Sequence, residues 1–328
     1  MDMQALVLTR HDGPLELTTI AIPELATGEV RIRIAASGLN PLDTKIRAGA
    51  AAHARHPLPL ILGIDVSGVV DAVGPGVTEF SVGDEVYGMT GGVGGIPGSL
   101  AQYASVDASL LARKPVNLSM REAAALPLAF ITAWCGMVDR ANLQAGQTVL
   151  VQGGAGGVGH VAVQIARARG AIVFATASER NQDVVAGFGA TPIDYAVQTV
   201  EEYVEQYTDG EGFDLVVDTV GGPTLEGSFR AVRHFGHVVS ALGWGTHALA
   251  PLSFREASYS GVFSLHPLLS GKHRAHHGEI LRQATAMAEA DKLVVRQDPR
   301  RFDLGSAHLA YESMTGGTAE GKLVVDVI

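Results

Sequence analysis

The stretch that most limits what this chain can fold into is Thr148–Gly159, read Thr-Val-Leu-Val-Gln-Gly-Gly-Ala-Gly-Gly-Val-Gly. Thr148–Val151 has the length and β-branching of a buried parallel strand. Five glycines follow within the seven residues 153–159, and a helical pattern begins at once, with Val158, Val161, Ala162, Ile165 and Ala166 spaced by three and four. Gly154, Gly156 and Gly159 therefore fit G-x-G-x-x-G between a strand and a helix, the setting in which that spacing binds a dinucleotide. Gly154 permits the tight turn, Gly156 lets backbone approach a pyrophosphate, and Gly159 lets the helix lie close on the strand. The helix start then offers unpaired N–H groups and partial positive charge to the phosphates.

The next strand-like run, Ile172–Thr176, leads into Ala177-Ser178-Glu179-Arg180. An NAD site places an acidic residue near this point, on the ribose 2′-hydroxyl. In register the position is Ala177, while Ser178 can donate to a 2′-phosphate and Arg180 can neutralise it, which favours NADPH. A small shift in register would make Glu179 the ribose ligand instead.

A chain of 328 residues suggests about two domains. The net charge of −10, without an extended basic cluster, argues against nucleic acid as a partner, and no apolar run approaches the ~20 residues of a membrane span. A single cysteine, Cys135, excludes an internal disulfide and a cysteine-rich zinc site. Without a signal pattern before Gln4–Leu8, the expected location is the cytoplasm.

Residues 1–120 read as short strands (Ala5–Leu8, Leu15–Ile20, Val30–Ala36, Asp65–Val73) divided by turns, a β-rich barrel-like domain. Gly91–Gly95 lacks strand–helix framing and reads as a mobile loop. Ser119-Met120-Arg121-Glu122 is a capping box, and Pro127 is expected to end or kink the turn it opens. From Thr148 strands (Thr148–Val151, Ile172–Thr176, Leu215–Asp218, His237–Leu242, Tyr259–Leu265) alternate with helical stretches such as Glu201–Tyr207 and Thr224–Val232, the pattern of a doubly wound parallel sheet. A tail helix, Ile280–Ala290, precedes a last strand, Lys322–Val327, that suits the first domain better. The expected division is residues 1–122 with 267–328, and 123–266 inserted between them.

Several further stretches resemble the medium-chain dehydrogenase/reductase superfamily, specifically its zinc-free quinone oxidoreductase (zeta-crystallin-like) branch. They are Ala36–Asp43 with Arg47 and Gly49, Leu62–Val70 with Val73-Gly74, Val82–Gly88, Ala124–Pro127 with Thr132-Ala133, and the Gly153–Gly159 loop. The resemblance covers essentially the whole chain and implies an α/β protein: a GroES-like β-rich catalytic domain plus a Rossmann domain. Where zinc-bearing relatives carry metal donors, this sequence has Asn40, Ile64 with Asp65, and Leu128, so no metal is expected. His273, His276 and His277 read as a surface helix cap or loop.

By the same resemblance, Thr132 lies near the nicotinamide ribose, Gly156, Gly157 and Val158 meet the pyrophosphate, and Ser178, Arg180 and Tyr195 surround the 2′-phosphate. Leu242, Gly243, Phe263, Ser264 and Leu265 border the nicotinamide, with Lys322 close by. Asn40 is the candidate donor to a developing oxyanion or the residue holding the nicotinamide; capping the turn before Pro41 is its alternative role. Some enoyl-reducing relatives have a tyrosine after the Asn-Pro pair, whereas Ala48–His56 has none. His53 or His56 replaces it, or solvent protonates, or the acceptor is a quinone, which needs no positioned acid. The expectation is NADPH-dependent hydride transfer to a quinone, with reduction of α,β-unsaturated carbonyls or a catalytically silent NADPH binder as alternatives. Relatives also imply a homodimer joined along the sheet edge at Tyr259–Leu265.

Overall fold

The computed structural model describes residues 1–328. The chain divides into two compact units, Met1–Leu128 with Leu265–Asp291 and Val295–Ile328, and Ala129–Ser264 with Lys292–Val294.

The second unit is built on six parallel strands in the order Thr191–Asp194, Ile172–Ala177, Thr148–Gln152, Phe213–Asp218, Val232–Ser240, Ser258–Gly261. Strand order reverses beside Thr148–Gln152, which creates the crevice where open α/β sheets bind ligands. Leu150, Phe174, Phe213, Val216, Phe229 and Val238 form the heart of one core under this sheet. Intervening helices start where the sequence offers caps. Thr199 accepts from the Glu202 N–H and opens Val200–Thr208, and Pro223 stands in the first turn of Pro223–Ala231.

Three elements differ from the sequence reading. The strand expected over Tyr259–Leu265 stops at Gly261, and Leu265 instead precedes the helix His266–Ser270, whose early Pro267 favours a helix start. An apolar run of that length does not by itself separate strand from helix. The strand expected at His237–Leu242 runs Val232–Ser240, with a register irregularity opposite Phe213/Leu215 and Phe235 at φ +59°. The helix that Ser119 opens ends at Ala124, before Pro127 as expected, but Pro127 also begins a further helix, Pro127–Trp134, which passes into a π-helical segment, Cys135–Arg140. The wider turn places Gly136 so that a Cβ would lie 3.2 Å from Val262 and 3.3 Å from Val239.

The first unit is mostly antiparallel. One sheet runs Phe302–Asp303, Val324–Asp326, Glu29–Gly38, Asp65–Val73, Glu85–Met89, Leu111–Arg113, with Tyr103–Asp107 also paired to Glu29–Gly38. A smaller sheet joins Glu16–Ala21, Asp2–Leu8 and Leu60–Ile61. Val30, Ile32, Ile34, Val66, Val86 and Val106 alternate inward to form a core. The last strand, Val324–Asp326, lies antiparallel to Ala36–Gly38. Met120–Ala124 opens with the expected capping box, the Ser119 side chain accepting from Glu122 N–H.

Gly91–Gly95 forms no phosphate loop, and it is pinned rather than loose. Gly92 N–H donates to Ile96 O at 2.9 Å and Gly94 N–H to Ala54 O at 2.8 Å. A Cβ on Gly91 would stand 2.1 Å from Pro97 O, so these glycines permit close backbone packing.

Candidate cofactor loop and a buried polar cluster

In the second unit the expected glycine loop forms at the carboxyl end of Thr148–Gln152 and leads into the helix Gly159–Ala168. Gly153, at φ +72°, donates to Thr176 Oγ1 at 2.9 Å, and Gly154 N–H donates to Thr176 O at 2.9 Å. These bonds fasten the loop to the neighbouring strand. Each glycine is required by its surroundings. A Cβ on Gly159 would meet Gly153 O at 2.1 Å, and one on Gly154 would meet the Ala175 Cβ at 2.6 Å. Gly156 and Gly157 are exposed, whereas Gly154 and Gly159 are buried. Exposed backbone ahead of a helix N-terminus suits a diphosphate, so the residues present fit a dinucleotide.

Ser178, Arg180 and Tyr195 lie just past the ends of the adjacent strands Ile172–Ala177 and Thr191–Asp194, where Ala177 pairs with Asp194. Arg180 and Tyr195 are exposed, Glu179 is exposed beside them, and Ser178 Oγ accepts from Asn181 Nδ2 at 3.0 Å. Thr132, 7% exposed, meets Ser264, Oγ1 to Oγ 3.1 Å. Leu242, Gly243 and Phe263 occupy the loops after the fifth and sixth strands of the sheet, and Phe263 packs edge-on to Trp244. Leu265 is buried at 3% and belongs to the first unit.

In the first unit, four side chains assemble a buried polar cluster around Asn40. This residue precedes the helix Pro41–Arg47, and its N–H donates to Asp43 Oδ2 at 2.8 Å. The carboxylate supplies the cap, and the Asn40 side chain turns elsewhere. Its Nδ2 donates to Asp65 Oδ2 at 3.0 Å, while its Oδ1 accepts from Lys322 Nζ. The same ammonium donates to Leu39 O at 2.9 Å and stands 3.9 Å from Asp65 Oδ2. Asp65 Oδ1 accepts from Leu128 N–H at 2.9 Å, and Asp43 Oδ1 from Gly63 N–H at 3.3 Å.

Two buried carboxylates thus face one ammonium, and the imbalance sets their protonation. Burial raises the Asp43 carboxyl to about 7, opposed by the N–H groups of Asn40 and Gly63 and helped by the Asp65 charge. Burial raises Asp65 to about 6, with Lys322 and Asn40 holding it down. Burial lowers Lys322, and the two carboxylates oppose that fall. Tyr311, 1% exposed, has a hydroxyl with no hydrogen-bond partner; burial first, then the Asp43 charge, pushes it well above the ordinary phenol range.

His53 sits half-buried on the short 3₁₀ turn Ala52–Ala54. His56 is committed to loop structure: its Nδ1 accepts from Gly95 N–H at 3.2 Å, leaving Nε2–H for Ile61 O at 3.2 Å. Burial lowers its pKa, with the bond to Ile61 opposing. His277, read as surface, is 1% exposed within Arg274–Glu289, and His276 contacts Glu279 at 3.2 Å.

Residues 26–116 match the alcohol dehydrogenase GroES-like domain and residues 188–325 the zinc-binding dehydrogenase domain. The 2-methylene-furan-3-one reductase of Solanum lycopersicum is 36% identical over 95% of this chain and 75% of its own length. The NADPH-dependent alkenal/one oxidoreductase of Arabidopsis thaliana, a chloroplastic protein, is 34% identical over 99% of this chain and 79% of its own. The chain belongs to the medium-chain dehydrogenase/reductase family. Among solved structures, an alcohol dehydrogenase superfamily protein from Novosphingobium aromaticivorans matches this chain at 56% identity and TM-score 0.98, over 99% of this chain and 100% of that one. The quinone oxidoreductase of Coxiella burnetii matches it at 29% identity and TM-score 0.84, over 100% of both chains. The chain is therefore an oxidoreductase with the GroES-like and Rossmann-type folds, built for a nicotinamide cofactor.

The donor set does not fit the zinc in the name of one matching domain. Asn40, Ile64 and Leu128 offer an amide and two hydrocarbons, and Asp65 is engaged by Asn40 and Leu128. Cys135 lies in the other unit, its thiol pushed up to about 12 by burial and then by Asp139, and no group of three acidic, histidine or cysteine side chains could hold a metal ion.

Asp43, Asp65 and Tyr311 are the residues for which sequence alone supplied no role. Asn40-x-x-Asp43 has capping-box spacing, so the first was open to a reading by period. Tyr311 carries no local signal.

Proposed function

We propose that this medium-chain reductase uses NADPH to reduce the carbon–carbon double bond of an α,β-unsaturated carbonyl compound. The observation that carries the reading is the cluster at Asn40: an ammonium in hydrogen-bond contact with an amide, where a metal would otherwise polarise the acceptor. An acceptor whose double bond is activated by its own carbonyl suits such a site better than a simple alcohol or ketone. When bound, reduced nicotinamide supplies the hydride. The glycine loop then holds the diphosphate, and Ser178, Arg180 and Tyr195 hold the 2′-phosphate that distinguishes NADPH. Asn40 fixes Lys322, and the pair of carboxylates behind them opposes the fall in pKa that burial imposes on that ammonium. The two relatives named for enone and alkenal substrates support this choice.

A quinone acceptor, which sequence alone puts first, is the second reading. It is favoured by the absence of a tyrosine in Ala48–His56 and by the engagement of both His56 nitrogens, which takes His56 out of the role of acid. Loss of NADPH absorbance with a 2-alkenal, 1,2-naphthoquinone and a saturated aldehyde separates the readings. Turnover of the alkenal to its saturated product is expected. Turnover with the quinone alone would install the second reading, and turnover with neither would leave a silent binder.

We also propose a homodimer along Ser258–Gly261, one of the two edge strands of the six-stranded sheet. Sedimentation at micromolar concentration is expected to give twice the 34.2 kDa chain mass, and a monomer would reject it. No helix is long and apolar enough to cross a membrane.

A further inference from the structure

Asp218 ends the fourth strand of the sheet and Ser240 ends the fifth, paired in register, and each is 1% exposed. Buried parallel strands are ordinarily apolar throughout, so a carboxylate here requires dedicated partners. It has them in the two loops that follow. Asp218 Oδ1 accepts from Gly221 N–H at 2.9 Å and Val220 N–H at 3.2 Å, and Oδ2 accepts from Ser240 Oγ at 2.6 Å. Ser240 Oγ in turn accepts from Leu242 N–H at 3.0 Å.

These bonds draw the loops into contact. A Cβ on Gly221 would lie 2.6 Å from Leu242 O, and one on Gly243 would lie 2.1 Å from the Tyr259 hydroxyl. Thr219 Oγ1 donates to Gln152 O at 2.7 Å, and a Cβ on Gly153 would stand 2.9 Å from Val220. One carboxylate thus ties both loops together beside the glycine loop.

We infer that Asp218 and Ser240 are positioning residues for the nicotinamide half of the cofactor. The inference rests on the nucleotide reading above. A doubly wound sheet is two mononucleotide-binding halves meeting at the strand-order switch. The adenosine half takes the strands that end at Gln152, Ala177 and Asp194, leaving the nicotinamide half to the strands that end at Asp218, Ser240 and Gly261. Asp218 and Ser240 act through backbone, by fixing where the Val220–Gly221 and Leu242–Gly243 peptides stand.

The test compares two ligands on the full chain by calorimetry: NADPH, and adenosine 2′,5′-bisphosphate, which lacks the nicotinamide half. Ser240→Ala is expected to weaken NADPH about tenfold, the scale of one lost buried hydrogen bond, and to leave the bisphosphate within about twofold. Tyr259→Phe removes the hydroxyl that packs against Gly243 and keeps the ring on Phe229, and it is expected to show the same asymmetry at smaller size. Equal weakening of both ligands, or no change in either, overturns the positioning role. Failure of the unaltered chain to bind NADPH overturns the nucleotide reading itself, and with it this inference.

Discussion

The glycine loop and the Asn40 cluster solve opposite problems. The loop is made almost wholly of backbone and is contiguous, with Gly153 and Gly154 tied to Thr176 on the neighbouring strand. It presents N–H groups to charge that arrives from outside. The cluster is made of side chains, spans 282 residues from Asn40 to Lys322, and carries its own charge inside the protein. Backbone sites are protected by the absence of side chains, so their failure mode is a collision. Buried ionic sites are protected by balance, so their failure mode is an uncompensated charge.

That contrast can be broken at several points. The largest effect is expected from Lys322→Met, which leaves Asp43 and Asp65 without their cation. Unfolding in urea should show a loss on the order of 3 kcal/mol at neutral pH, shrinking in acid as the carboxyls protonate. An unchanged midpoint at pH 7 would mean that the cluster does not depend on the ammonium.

The second test uses pH. The folded-state pKa of Asp43, about 7, lies above its ordinary value of 3.8, so the folded chain binds this proton more tightly. Its contribution is full below about 4 and is lost as pH rises through 7. Asp65, raised to about 6, adds in the same direction. Asp43→Asn should therefore flatten the decline in stability between pH 4 and 7, by roughly 2–3 kcal/mol across the window. A parallel decline in the variant would assign the pH dependence to other groups.

The glycine loop is expected to respond differently. Gly159→Ala forces a Cβ to within 2.1 Å of Gly153 O, and the loop must shift. NADPH affinity should fall roughly tenfold to a hundredfold, the scale of an overpacked backbone contact. Retained affinity would show that the diphosphate does not use this turn. The smallest effect is expected from Arg180→Ala, which removes an exposed charge: about fivefold weaker NADPH with NADH little changed. Equal changes for both nucleotides would remove Arg180 from the 2′-phosphate site.

Legibility in the sequence followed the same contrast. The loop could be read because its requirements are local: a strand of β-branched residues, glycines at fixed offsets, and a helical period after them. The strand ends at Tyr259–Leu265 and His237–Leu242 were misplaced because an apolar run does not announce where pairing stops; Gly261 and Pro267 decide one case. Asn40 and Lys322 were both singled out, yet their contact was not, since no spacing rule links them. Asp43 stood within reach of the capping rule, whereas Tyr311 reaches Asp43 only through the fold.

The distance along the chain between Asn40 and Lys322 has a consequence for biosynthesis. Ribosomes deliver Asn40, Asp43 and Asp65 early, and the whole parallel sheet follows before the lysine exists. Until then the carboxylates lack their countercharge and are best left hydrated, so the β-rich unit has reason to close after the nucleotide-binding one.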